Sequence, residues 1–235
     1  ERILTAVARE VPDRIPADYK AEPEVNQAMM KRLGLSSYDE LLNYLQVDVR
    51  RIEPLYVGPP DKVLGEDITE DYWGIRAKRV TASHGTYSMY IETDIWHAET
   101  IEDLEKHSWP ACDIFDYSVM KEQCEKYPEH AILFEGSDLF TRPCILRGME
   151  NMMLDMALRP ELAHYIMEKF TSFYCEDLTR ALEATNGGFQ LYCEWSDFGT
   201  QESLLMSVPM WREFISPYLK RLIDICHSGG VKFML

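Results

Sequence analysis

The stretch that most limits what this chain can fold into is residues 187–201, GGFQLYCEWSDFGTQ. Two glycines lead into the apolar run Phe189–Cys193, which leaves through the polar cluster Glu194, Trp195, Ser196, Asp197 and Gly199. A short apolar run bounded by turn residues reads as a buried strand that stops at a polar rim. Long helix-period patterns flank it on both sides. A buried strand between helices belongs to a βαβ array with a parallel sheet, and such arrays gather ligand chemistry at the carboxyl ends of their strands.

The rest of the chain repeats that alternation. Residues 1–10 form a short amphipathic helix stopped by Pro12, and DRIPADYK (13–20) reads as a first strand ending at Asp18–Lys20. Pro23 opens a helix that Gly34 closes, and Ser37 with Glu40 makes a capping box for 38–45. VDVRRIEPLYVG (47–58) is a second strand ending near Pro54. Residues 59–95 interleave glycines, aromatics and β-branched residues, which predicts a small hairpin excursion. Helix follows at 99–107 and 117–126, a third strand at HAILFEG (130–136), and partly helical sequence over 139–156 interrupted at Pro143. The longest helix runs from Pro160 to about Ala184. Its Leu162, Ile166, Phe170, Tyr174, Leu178 and Leu182 make one core stripe roughly 37 Å long. A further helix is expected over 208–227, and VKFML (231–235) begins a fifth strand. The order predicts an α/β fold with five parallel strands in a single domain, 1–235.

Charge narrows the partners. Twenty-four basic against forty acidic residues give −16. That field repels phosphate backbones and anionic membranes, so nucleic acid and membrane surfaces are not expected partners. An anionic small substrate needs a local basic pocket. No apolar run approaches the length that crosses a bilayer. The six dispersed cysteines, without a CxxC pair, read as reduced thiols in a cytoplasmic protein, and the charged first residues do not read as a signal peptide.

Several residues stand where strand ends place chemistry. Glu194 and Asp197 form a candidate catalytic pair, with Gln201 as a hydrogen-bonding reader. Alternatively, Asp197 caps the next segment and Glu194 is solvated. Glu135 ends the third strand between Phe134 and Phe140, where desolvation would suit a proton donor. Pairing with Arg142 or Arg147 is the other reading. Of Arg50 and Arg51, strand alternation points one inward to grip a carboxylate or phosphate, without saying which; a salt bridge into the acidic excursion is the other reading. Cys193 reads as a small buried hydrophobe before a metal ligand. The histidines lack HxH or HxxxH spacing, so no metal ligand is assigned, and His227 suits a helix C-terminus. Tyr72, Trp73, Tyr87, Tyr90 and Trp96 are the core of the excursion or a wall over the site. Met149, Met152, Met153 and Met156 are helix packing.

Four blocks in order carry a resemblance: ERILTAVAREVPDRIP, LLNYLQVDVRRIEP, FEG…LRGMENMMLDMALRPEL, and the run from Glu194 to Leu235. In these the chain resembles the uroporphyrinogen decarboxylase superfamily, which includes corrinoid-linked zinc methyltransferases. The resemblance implies a (β/α)8 TIM barrel, of which about five of eight strands lie here. It places the zinc ligands, a His-x-Cys-Gly sequence and a later Cys, beyond Leu235. It implies zinc as cofactor, a corrinoid as co-substrate and a corrinoid protein as partner. The decarboxylase pattern fits poorly. DYKAEPEV (18–25) lacks the arginines expected after the first strand, Asp48 matches the catalytic aspartate only loosely, and Cys144 stands where a tyrosine is expected. The expected function is therefore methyl transfer between a corrinoid and a thiol or other small acceptor, with Asp197 and Glu194 orienting the acceptor. A lyase acting on a carboxylated or tetrapyrrole substrate and a non-catalytic corrinoid-binding subunit are the alternatives.

Overall fold

The structure is a computed structural model that describes residues 1–82 and 85–235; Ser83 and His84, inside the expected excursion, lie outside the described residues. Helix α1 (Arg2–Val7) is shorter than its pattern. Helix α2 (Pro23–Leu33) begins at its proline and ends at Gly34, whose φ of 70° is the left-handed cap a side chain would resist. Helix α3 (Tyr38–Tyr44) is capped by Ser37, which accepts from the Glu40 amide at 3.2 Å. Glu40 returns a carboxylate to the Ser36 amide at 2.6 Å.

Strand β1 (Val49–Ile52) stops just short of Pro54, and β2 (Leu55–Tyr56) pairs antiparallel with a later two-residue strand. The excursion is larger than a hairpin. It is a four-stranded antiparallel sheet of β3 (Lys62–Gly65), β4 (Ile68–Glu70), β5 (Arg76–Ala82) and β6 (Gly85–Ile91), in that spatial order. Helix α4 (Ile101–Glu105), a 3₁₀ turn (Cys112–Ile114), β7 (Phe115–Asp116, the partner of β2) and α5 (Met120–Glu125) lead to β8 (Ala131–Ser137). Then come α6 (Thr141–Arg147), α7 (Met149–Leu158), α8 (Pro160–Thr185), β9 (Leu191–Glu194), α9 (Val208–Phe214), α10 (Ser216–Ser228) and β10 (Lys232–Met234).

Strands β1, β8, β9 and β10 form one sheet, every neighbouring pair parallel and the spatial order following the chain. A doubly wound sheet reverses direction at a switch point. This one advances in a single direction, the winding that carries a sheet around into a barrel. Four strands pair, not the five expected. Residues 13–20 run extended beside β1 but join it by one backbone bond, Asp48 N to Ala17 O at 2.9 Å. Pro16 has no N–H to donate, and Ile15 is exposed, so the segment has neither the donors nor the burial of a strand.

The sheet has two unlike faces. Ile132, Phe134 and Tyr192 point to the helices and join the main core with Ile166, Phe170, Phe173 and Leu178 of α8. The alternate residues Val49, Ala131, Leu133, Leu191 and Cys193 form a smaller cluster on the opposite, inner face, capped by Ile3. Trp73 of the small sheet stacks on Phe170 with ring centroids 4.0 Å apart, so the excursion is pinned to α8. Tyr72 joins that contact, whereas Tyr87 and Tyr90 stay exposed and Trp96 lies beside Gly148. Met152 and Met156 are buried, and Met149 is exposed. All six cysteines are unpaired. Among the described residues no helix is long and apolar enough to cross a membrane.

Candidate functional site

Strand register decides which arginine turns inward. Arg51 stands opposite Leu133 and shares the inner face, so Arg50 must point to the helices. Arg50 is fully buried there. It donates to the carbonyls of Val47 and Val49 at 2.9 Å and to Asn43 Oδ1 at 2.6 Å, with Tyr127 beneath it. Burial lowers its pKa. Arg50 thus braces α3 and α5 against the sheet and does not reach the inner face.

Arg51 lies at the centre of an ion cluster at the carboxyl ends of the strands. Its Nε donates to Glu135, and its two terminal nitrogens fork onto Asp18 at 2.9 and 2.7 Å. Lys20 Nζ reaches the other oxygen of Glu135 at 2.8 Å and sits 4.1 Å from the Trp195 ring centroid. Register sets Glu135 opposite Cys193. Asp18 is lowered despite its partial burial, because Arg51 forks onto it. The Tyr38 hydroxyl, near the same charges, is raised mainly by burial. Two expectations for Glu135 change here. It lies on the face opposite Phe134, so no aromatic sandwich surrounds it, and its partners are Arg51 and Lys20 where Arg142 or Arg147 were the alternatives. A cleft of about 440 Å³ opens beside Arg51 and Glu135, bordered by Glu53, Lys126 and Tyr127.

Glu194 follows Tyr192 onto the helix side, away from Cys193 and the inner cluster. It is 3% exposed. It accepts from the Ser137 hydroxyl, the Leu139 amide at 2.9 Å, the Ser196 amide at 3.1 Å and the Ser196 hydroxyl. Burial raises its pKa, and those donors oppose the rise. The carboxylate ties the ends of β8 and β9 into one knot, which Ser196 extends by accepting from the Phe140 amide, with Asp138 Oδ1 3.1 Å from the same hydroxyl. Asp197 is exposed; its amide donates to Thr141 Oγ1 at 2.8 Å, and its carboxylate has no hydrogen-bond partner among the described residues. Gln201 is exposed in the turn held by the Gly199–Leu204 bridge.

Asp48 stands at the opposite, amino end of β1. Arg2 and Arg14 hold its carboxylate, the latter at 2.9 and 3.0 Å, with the Ala17 amide at 2.8 Å, and its pKa is lowered. It anchors the N-terminal segment beneath the sheet. The cavity of about 610 Å³ beside it is lined by α1, Asp13 and His130, at the end of the strands away from the ion cluster. The structure therefore brings Arg51, Glu135 and Cys193 together and sets Glu194, Arg50 and Asp48 elsewhere. Lys20, Trp195 and Ser196 were not singled out from the sequence. The EWSD run and the strand end at Asp18–Lys20 were their only signal.

The described residues do not fit a zinc ion. No group of three or more His, Cys, Asp or Glu among them is placed to hold a metal. Cys193, the thiol of the inner face, is pushed up to about 11 by burial and by Glu135 and Glu194, the reverse of what a thiolate ligand needs.

No family model matches the chain, and no curated protein is similar to it. Among solved structures, the chain is similar to a methyltransferase from Methanosarcina mazei at 15% identity and a TM-score of 0.58, over 99% of this chain and 67% of that one. At that identity the likeness is one of fold.

Proposed function

We propose that residues 1–235 form the substrate-orienting part of a (β/α)8-barrel methyltransferase that moves a methyl group between a corrinoid and a small thiol or related acceptor. The observation that carries this reading is the ion cluster of Asp18, Lys20, Arg51 and Glu135 under Trp195. It occupies the inner face at the carboxyl ends of a singly wound parallel sheet, where barrels place their ligands. The fold likeness to a methyltransferase supports it, and so does the order of the four resembling blocks. In this reading Arg51 and Lys20 hold the polar end of the acceptor. Glu135 fixes the directions of those two cations, and Asp197 meets the ligand from the β9–α9 loop. Glu194 acts through the loop it knots and does not touch the acceptor. Thiol activation by zinc, and the zinc ligands themselves, belong outside residues 1–235 in this reading, and no step is assigned to them here. A corrinoid protein is the partner the reading implies.

One observation favours a second reading. Two cations on the inner face suit a carboxylated substrate, as a lyase of the same barrel type would need.

The test uses the intact gene product, purified without chelator, with metal content measured alongside turnover. With methylcobalamin and a small thiol, loss of the methylcobalamin absorbance is expected, and Arg51→Gln should raise the acceptor KM by about tenfold or more. Metal-replete protein that neither demethylates methylcobalamin nor binds it would sink the reading. Binding without turnover would return the question to a non-catalytic subunit.

A further inference from the structure

The edge strands of a sheet carry unpaired backbone donors and acceptors, and proteins blunt them with short strands, lysine, proline or a bulge. The two edges of the small sheet differ in this respect. Edge strand β3 has four residues, follows Pro59 and Pro60, carries Lys62 and shifts register between Val63 and Gly65. Edge strand β6 has none of these devices. Its seven residues, Gly85–Ile91, include no proline and no charge, and they pair with β5 in unbroken register. All but Ile91 are exposed, and Tyr87, Met89 and Tyr90 each show about half of their surface. Among the described residues no backbone group on the outer side of β6 has a partner.

The same strand borders a cleft of about 1200 Å³. Cross-strand register sets Thr69, Ala77 and Tyr90 in one row and Arg79 with Ser88 in the next, all on one face of the sheet. That face is one wall of the cleft, and the start of α2, with Glu22 and Glu24, is the other. The charges that line it are Glu22, Glu24 and Asp67 against Arg79, none of them in an ion pair among the described residues. An extended segment added to β6 would bond the free edge through its backbone. Because strand side chains alternate, every second one would then enter the cleft. The surplus of carboxylates there favours basic side chains. A second copy of β6 brings no charge to Glu22 and Glu24, and it would bring together two chains of net charge −16.

We infer that β6 is a docking edge for an extended, basic peptide segment of a partner protein. The segment joins the small sheet as a fifth strand and turns lysine or arginine side chains into the cleft towards Glu22, Glu24 and Asp67. Seven residues at about 3.4 Å each give it roughly 24 Å of edge to pair with. The surface is separate from the inner-face ion cluster and does not rest on the methyl-transfer reading.

The test is fluorescence anisotropy at constant ionic strength, titrating the full chain into a labelled peptide of about eight residues in which Lys and Val alternate. Saturable binding is expected, and the matching Glu–Val peptide should bind more weakly by about tenfold or more. Glu22→Lys combined with Glu24→Lys leaves the chain strongly acidic. It should nevertheless weaken the Lys–Val peptide by about tenfold and favour Glu–Val, with the circular dichroism spectrum unchanged. Backbone pairing has a signature that needs no variant, because alternate amides of a strand point to opposite edges. Of two Lys–Val peptides, one N-methylated at every Lys and the other at every Val, one should bind like the unmodified peptide and the other should not bind. The inference is overturned if the Lys–Val peptide shows no saturable binding, if the paired charge reversal leaves its affinity unchanged, or if the two methylated peptides bind alike. A chain that sediments as a dimer and excludes the peptide would overturn it in favour of a second copy.

Discussion

Burial of the Asp177 carboxyl contributes a pH dependence whose sign can be worked out. Asp177 of α8 is enclosed by the core, with the Tyr117 hydroxyl bonded to it at 2.6 Å. Burial pushes it up to about 7, and neither that bond nor Arg180 offsets the rise. The unfolded chain releases the same proton near pH 4. Between those values the folded state binds a proton that the unfolded state does not, so stability falls as pH rises through the window and levels off above 7. The difference amounts to on the order of 4 kcal/mol. Urea unfolding at pH 5 and pH 8 should show the parent losing stability. Asp177→Asn, which keeps an acceptor for Tyr117, should lose distinctly less, the remainder coming from other carboxyls that burial raises, such as Glu194, and an equal slope in both proteins would refute the assignment. A second buried charge is held in place by its hydrogen bonds. Arg147 is fully buried, bonded to Asp155 at 2.7 Å and to the carbonyls of Ile95, Trp96 and Ala98. Arg147→Met should cost about 3 kcal/mol or more, because buried Asp155 is left with Arg159 alone and the buried Ala98 carbonyl loses its donor. A denaturation midpoint within error of the parent would count against it. The sequence shows that one of Arg50 and Arg51 must face inward. It cannot say which, because the answer lies in the register with β8, a contact made 82 residues later at Val49 and Ala131.

Glycines and prolines mark the element boundaries, but their positions within helices decide what they do. Pro143 was expected to interrupt a helix and instead occupies the third residue of α6, where the missing N–H would have had no intrahelical acceptor. The break comes at Gly148, whose φ of 81° ends α6 and starts α7. The expected helix over 208–227 divides at Ile215, because Pro217 starts α10 as a separate helix. Long apolar periodicity was the dependable signal, since α8 runs Pro160–Thr185 against an expected end near Ala184. A strand glycine carries the sharpest steric demand. A Cβ on Gly136 would overlap the ring of Tyr192, which is fully buried against Phe134 and Phe233. Gly136→Ala should therefore cost about 1–3 kcal/mol by forcing that ring off its seat. In a Tyr192→Leu background the same change should cost much less, since the overlapping ring is gone. Equal costs in the two backgrounds, read from urea midpoints, would show that backbone strain and not the ring is responsible.

Across the whole molecule, the order of elements was readable because each helix and strand carries its own period, whereas the partners of extended segments were not. The parallel, singly wound sheet follows from buried strands alternating with long helices. Residues 13–20 and the small sheet depend on non-local pairing, so one was read as a strand too many and the other as a hairpin too few. How the small sheet belongs to the molecule rests largely on one side chain. Trp73 is 1% exposed, stacks on Phe170 at 4.0 Å and meets Phe173 at 4.7 Å, while strands β3 and β6 are mostly exposed. A sheet with so little core of its own takes its stability from the body it is docked on. Trp73→Ala should cost about 3–5 kcal/mol through the cavity it leaves against α8. Its signature in hydrogen exchange should be uneven. Amides of β4 and β5 should lose protection and exchange by local opening, while those of β8 and β9 keep the slowest rates in the protein. In the parent, both sheets should lose protection together near the unfolding transition, because the small one cannot outlast its anchor. If Trp73→Ala left the β4 and β5 amides as protected as before, the small sheet would be an independent folding unit, and the pinning to α8 would be incidental to its stability.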